Sequence, residues 1–229
     1  LDVTKFMSGV SQVGDKSATT LPGTFYRDFE KATLAKGLIM PSYPASRELC
    51  AVGGMVGNNA GGEKTLAYGK TEDYIESLKI IFSDGEEYLI KSLDRAGLEA
   101  KMAQADFEGE LYRKLFKLIT LHAAELAAAK PKVTKNSADY YLWNVWDGQT
   151  FNLCKLIVGS QGTLGIVTEI TFKLIPENKH SKLVAIFMSD LSPLGRLVDE
   201  ILTLDPETLE TYDDKTMKLA VKFFPDFLK

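Results

Sequence analysis

The chain has 229 residues, 45% apolar and 25% charged, with a net charge of −4. That balance supports a globular chain with a real core and excludes a disordered one, and two cysteines are too few for a disulfide scaffold. No uncharged run approaches the length of a membrane span, and the acidic balance argues against nucleic acid or an anionic lipid surface as partner.

In chain order, the opening LDVTKFM reads as strand and lacks the features of a signal peptide. Because the sequence starts at Leu1 and stops inside the amphipathic KFFPDFLK, it is expected to be cut from something longer. Apolar spacing predicts a helix from Phe25 to Lys36, with Thr24 as N-cap and Gly37 as its stop. The glycine-rich stretch from Pro41 to Gly69 has no sustained period and is expected to be one long functional loop. YIESLKIIFSDGEEYLIK reads as a β-hairpin turning at Asp84-Gly85. Leu111, Leu115, Leu118, Ile119 and His122 share one face of a helix expected over about residues 108–129. Strand character returns in CKLIVGSQGTLGIVTEITFKLIP, where Ile170, Phe172 and Leu174 alternate with Thr171 and Lys173. LVAIFM is a further strand candidate, and Ser192-Pro193 opens a helix with Leu194, Leu197, Val198, Ile201 and Leu202 on one stripe. Cys50 and Cys154 read as two buried thiols of a reducing compartment. His122 reads as a core histidine, and His180 as a solvated linker residue. Two histidines cannot by themselves build a multi-histidine metal site, so no metal is expected in this chain.

A glycine cluster serves tight turns and close packing, or lets backbone N–H groups approach an anionic ligand. Two such clusters, GGMVGNNAGG and GSQGTLG, flanked by regular structure, point to a phosphate-bearing ligand held between two segments. GNNAGGEKT is not a nucleotide-binding P-loop, because Glu63 intervenes between Gly62 and Lys64. A dinucleotide fingerprint is also missing: no GxGxxG lies between a strand and a helix.

GGMVGNNAGG followed by YGKTEDYIESLKIIFSDGE, and then GSQGTLGIVTEITFKLIP, resembles the FAD-binding domain of the p-cresol methylhydroxylase and vanillyl-alcohol oxidase superfamily. Within it the likeness is to the D-lactate dehydrogenase and glycolate oxidase type, over about residues 1–178. The resemblance implies an α+β fold, an antiparallel sheet flanked by helices, that forms the second FAD-binding subdomain. Residues 179–229 resemble the start of an α/β substrate-binding cap, and the family's first subdomain, with its pyrophosphate loop, would precede Leu1.

Carried over by residue, the resemblance implies that Pro44, Ala45, Ser46 and Leu49 line the flavin and its ribityl chain. Gly53, Gly54, Asn58 and Asn59 match the turn that reaches the ribityl and pyrophosphate oxygens. Gly165 and Ile166 match a strand entry at the adenosine half, and Gln161 stands where the family commonly has glutamate. KNSADYYL resembles the family's KNTAGYDL, which implies substrate-side roles for Lys135, Asn136 and Tyr140. A packed aromatic cluster of Tyr140, Tyr141, Trp143 and Trp146 is the alternative there. The implied activity is dehydrogenation of a D-2-hydroxy acid of the lactate or glycolate type, by hydride transfer to flavin N5. Its partners would be FAD, the small hydroxy acid and an electron acceptor that the sequence does not specify. The catalytic base and any metal ligands would lie outside this chain, and the location would be cytoplasmic, with peripheral membrane association open. A non-catalytic nucleotide-binding or interaction module of the same fold is the rival reading.

Overall fold

The computed structural model describes residues 2–133, 136 and 140–226. In chain order the strands are β1 (Val10–Val13), β2 (Ser17–Thr20), β3 (Leu38–Ile39), β4 (Ile75–Ile81), β5 (Glu87–Leu93), β6 (Phe151–Asn152), β7 (Ile166–Lys173) and β8 (Ile175–Pro176). The helices are α1 (Tyr26–Leu34), α2 (Val52–Asn58), α3 (Thr65–Tyr68), α4 (Thr71–Tyr74), α5 (Arg95–Met102), α6 (Phe107–Leu121), α7 (Ala123–Ala129), α8 (Cys154–Ile157), α9 (Leu194–Leu202) and α10 (Asp214–Phe223). Six strands form one antiparallel sheet in the order β1-β2-β7-β4-β5-β6, and β3 pairs with β8 in a separate ribbon. The architecture is the expected antiparallel sheet flanked by helices.

Period-two alternation gives the sheet one dry face. Leu78, Ile80, Ile90, Ile170 and Phe172 are fully buried on it, each contributing roughly 1.5–3 kcal/mol by leaving water. The other face carries polar cross-strand pairs: Lys79 with Glu169 at 3.0 Å, Thr19 with Thr171 at 3.0 Å, and Thr168 with Glu87 at 2.6 Å. Phe29 of α1 meets Phe172 of β7 at 5.3 Å between ring centroids. Across the core Tyr112 of α6 lies 5.6 Å from Phe151 of β6. The hairpin forms where the sequence places it, with Gly85 at φ +87° in the turn.

Several expectations are corrected. Thr24 does not cap α1, because its hydroxyl is bound to Gly9 and Thr20; the cap position falls to Phe25. The 41–69 stretch is interrupted by α2 and α3, since Val52, Met55 and Val56 bury one side of a short helix despite its glycines. The 108–129 helix is two helices that break at His122, and α5 before them was not foreseen. His122 is exposed and bound to Glu125 rather than a core histidine. Cys154 is buried, whereas Cys50 is only half-buried. LVAIFM forms no strand: it finds no partner strand among the described residues, and Leu183 and Phe187 are 92% and 86% exposed. The helix stripe after Pro193 forms as expected, as α9.

Candidate functional site

The first glycine motif is built around α2. Val52 and Gly53 donate their N–H groups to Thr24 and Pro22 carbonyls, which pins the start of the helix to the preceding turn. Gly53 is needed for that contact: a Cβ there would lie 2.7 Å from Pro22 Cβ and 2.9 Å from its carbonyl oxygen. Gly54 is different, because nothing lies within 4 Å of where its Cβ would be, and it faces solvent with Asn58 one helical turn later. Asn59 ends the helix in the left-handed conformation, φ +47°, which a short amide side chain tolerates. Its Oδ1 accepts from the Glu72 N–H at 3.0 Å, while its Nδ2 is buried and without a hydrogen-bond partner among the described residues.

The second motif is bonded directly to the first. Gly159 N–H donates to Val56 O at 2.9 Å, Gln161 N–H to Gly57 O at 2.8 Å, and Gln161 Nε2 to Asn58 Oδ1 at 3.1 Å. Gly159, Gln161 and Gly162 all take positive φ, which wraps the loop around the end of α2. Tyr140 joins the same edge through its hydroxyl, 2.7 Å from Thr163 Oγ1. Motifs a hundred residues apart therefore share one surface strip: Gly54, Asn58, Gln161, Gly162 and Tyr140, all exposed.

The remaining expected residues take three kinds of place. Ala45, Ser46 and Leu49 are exposed on one turn, Leu49 at 76%, with Pro44 partly covered. Gly165 packs against β4, where a Cβ would lie 2.7 Å from Ile80 Cδ1 and from Ile81 O; close strand packing is what demands glycine there. Ile166 begins β7 opposite Ile81 and is half exposed. The Asn136 carbonyl accepts from Lys70 Nζ and from the Tyr141 hydroxyl, so this residue is tied to the protein interior. Lys135 lies outside the described residues. Of the aromatic cluster, Tyr141 and Trp143 pair at 5.3 Å, while Trp146 packs on Phe116 at 5.5 Å.

Sequence reasoning missed the charged group beneath this strip. Lys70 and Glu72 are buried and paired at 3.2 Å, with Lys70 Nζ 4.9 Å from the Tyr141 ring centroid. Asn144 Nδ2 donates to the second Glu72 oxygen at 3.2 Å, and Lys155 approaches it at 4.0 Å. The pair ties YGKTEDY to Asn136, Tyr141 and Asn144, and its backbone sets the Asn59 amide. Its signal was Lys70 and Glu72 flanking a threonine in an otherwise covered stretch, a pattern indistinguishable from a solvated turn.

Residues 1–90 match the family model described as FAD binding domain. The match over these residues is to an FAD-binding domain. Its cofactor is FAD, and the strip fits such a ligand: backbone lies open at Gly54, the amides of Asn58 and Gln161 are accessible, and Asn59 holds a buried amide donor with no hydrogen-bond partner among the described residues. Curated relatives include a D-2-hydroxyglutarate dehydrogenase of Pseudomonas putida, 26% identical over 97% of this chain and 22% of its own length. A glycolate oxidase subunit GlcD of Bacillus subtilis is 27% identical over 93% of this chain and 36% of its own. A D-lactate dehydrogenase of Archaeoglobus fulgidus is 24% identical over 87% and 34%. The chain thus spans about a fifth to a third of the length of these relatives. Among the described residues no helix is long and apolar enough to cross a membrane, and no group of three metal-ligating side chains is placed to hold an ion.

Proposed function

We propose that the chain forms one wall of the FAD site in an oxidoreductase that dehydrogenates a D-2-hydroxy acid of the lactate or glycolate type. The observation that carries this reading is the bonded junction of the two glycine motifs, Gln161 N–H to Gly57 O, with open backbone and amide donors along it. When bound, FAD supplies the two-electron acceptor for the hydride that leaves the substrate's α-carbon.

The chain's own residues bind and orient. Asn58, Gln161 and the main chain at Gly54 meet polar oxygens of the cofactor, and neutral amides do so without placing a carboxylate beside phosphate. Leu49, Ala45 and Ser46 offer a small apolar and hydroxyl surface to the ring system. Pro44 and Gly53 hold that surface in place, Asn59 adds a donor from beneath, and Gly165 with Ile166 positions the loop from the strand side. Tyr140 marks the substrate-side edge, and the family resemblance assigns the same side to Lys135 and Asn136. In this arrangement residues 1–178 are the second FAD subdomain and residues 179–229 begin a cap; the reaction's base and its electron acceptor belong elsewhere, in a cytoplasmic setting.

The test is to purify the protein as the cell makes it and record its flavin absorbance. D-lactate, glycolate and D-2-hydroxyglutarate are then added separately without oxygen. Bleaching of bound flavin by one of them is expected. Bound flavin that no 2-hydroxy acid reduces would overturn the substrate reading, and a colourless protein that takes up no FAD would overturn the site.

A further inference from the structure

A second concavity, about 250 Å³, lies between α1, α3, β3 and β8 and contains none of the proposed FAD-strip residues. Its walls are the apolar Leu34, Ile39 and Ile175, with the Tyr43 ring between them. Two cations enter it, and their partners differ. Arg47 stacks on Tyr43, 5.0 Å from its centroid, and is matched by Glu30 at 3.5 Å from the adjacent helix. Lys64, 6.0 Å from the same centroid, receives its carboxylate from Glu207 at 3.0 Å. Glu207 comes from the connection between α9 and α10, which turns inward at Asp205 with φ +49°. The neighbouring Thr208 hydroxyl is buried there without a hydrogen-bond partner among the described residues. Both members of the Lys64–Glu207 pair are about a quarter exposed, at 26% each, so water and salt weaken the clip that holds this segment. Burial and the facing Glu207 carboxylate raise the pKa of the Tyr68 hydroxyl, which leaves it a protonated donor on the same side.

We propose that this pocket binds a small aliphatic monocarboxylate, with Lys64 as the anion anchor, and that Glu207 is an internal stand-in which an external carboxylate displaces. Glu207 shows which chemistry the anchor accepts. The volume and the three aliphatic walls suit a tail of a few carbons. Glu30, and Glu63, which accepts from the Tyr43 hydroxyl at 3.2 Å, flank the anchor and disfavour ligands of higher negative charge. The proposal is independent of flavin and of hydride transfer.

The test titrates the 229-residue chain calorimetrically with sodium butyrate at low ionic strength, with neutral butanamide of the same shape in parallel. Millimolar butyrate binding, no butanamide binding, and loss of butyrate binding in Lys64→Met are expected. Glu207→Ala should bind butyrate about tenfold more tightly, because competition from the internal carboxylate lowers apparent affinity to the open fraction, and a tenfold change corresponds to a segment open about one-tenth of the time. In the unmutated chain, butyrate should also accelerate amide hydrogen exchange over residues 203–213. Equal binding of butanamide, unchanged affinity in Lys64→Met or Glu207→Ala, or unchanged exchange in that segment at saturating butyrate would each overturn the proposal.

Discussion

Adding one methyl group at each of two adjacent glycines separates the structural from the binding role of the first motif. At Gly53 the new Cβ would sit 2.7 Å from Pro22 Cβ and 2.9 Å from Pro22 O, so α2 must retreat from the turn by several tenths of an ångström. The same movement stretches the 2.8 Å bond from Gly53 N–H to that oxygen. Overpacking and a weakened bond together cost about 2–3 kcal/mol, which for a chain of this length lowers Tm by roughly 4–12 °C. Gly54→Ala meets no atom and replaces a helical glycine, so it should raise stability by up to about 1 kcal/mol. On the proposed cofactor face that methyl group stands where the ligand must approach the backbone, and FAD affinity should fall at least tenfold. Thermal unfolding of the two variants, with flavin retention measured on each, checks both halves. Equal destabilisation by the two substitutions, or a Gly54→Ala protein that keeps FAD as the parent does, would refute the division of roles.

Lys70→Met leaves Glu72 buried without its main counter-charge and should cost about 3 kcal/mol in urea unfolding, while replacing both members by apolar residues should cost less. Tyr26→Phe removes the 2.7 Å bond from a fully buried hydroxyl to the Met40 carbonyl and should cost about 1–2 kcal/mol, with no change in flavin binding. Burial pushes the Cys154 thiol from 9.0 up to about 12, so the folded state keeps a proton that the unfolded chain releases. Its contribution is intact below pH 9 and is lost as pH rises towards 12, with a slope of about 1.4 kcal/mol per pH unit. Cys154→Ala should flatten the alkaline limb of the stability profile, and a profile of unchanged slope would count against this assignment.

The hairpin and β7 were legible because their apolar periods agree with their burial, α9 because its stripe has a helical period behind Ser192-Pro193, and Asp84-Gly85 has one obvious use. Motif pairing was legible too, as the Gln161 to Gly57 bond shows. What escaped was decided by contacts between distant segments. α2 forms through glycines of low helix propensity because Val52, Met55 and Val56 find a core, and tertiary burial outweighs the local cost. Thr24 has the chemistry of a cap but meets Gly9 first. Gly165 resembles a ligand-approach glycine until Ile80 is seen against it. Lys70 and Glu72 carry no sequence signal of burial, because nothing in sequence places Tyr141 and Asn144 over them.

The position of β7 in the sheet bears on how the chain is made. β7 lies between β2 and β4, so both strands keep an open edge until residues 166–173 arrive. The ribosome adds about 5–20 residues per second, so β4 waits on the order of five to twenty seconds after its own synthesis for its neighbour. During that interval Ile75, Leu78 and Ile80 are without the strand that covers them, and the nascent chain presents two sticky edges side by side. The stretch matched by the family model, residues 1–90, ends inside this interval. Cut there, it would hold β1, β2 and the start of the hairpin with a gap one strand wide, making it a substrate for chaperones or aggregation rather than a smaller version of the domain.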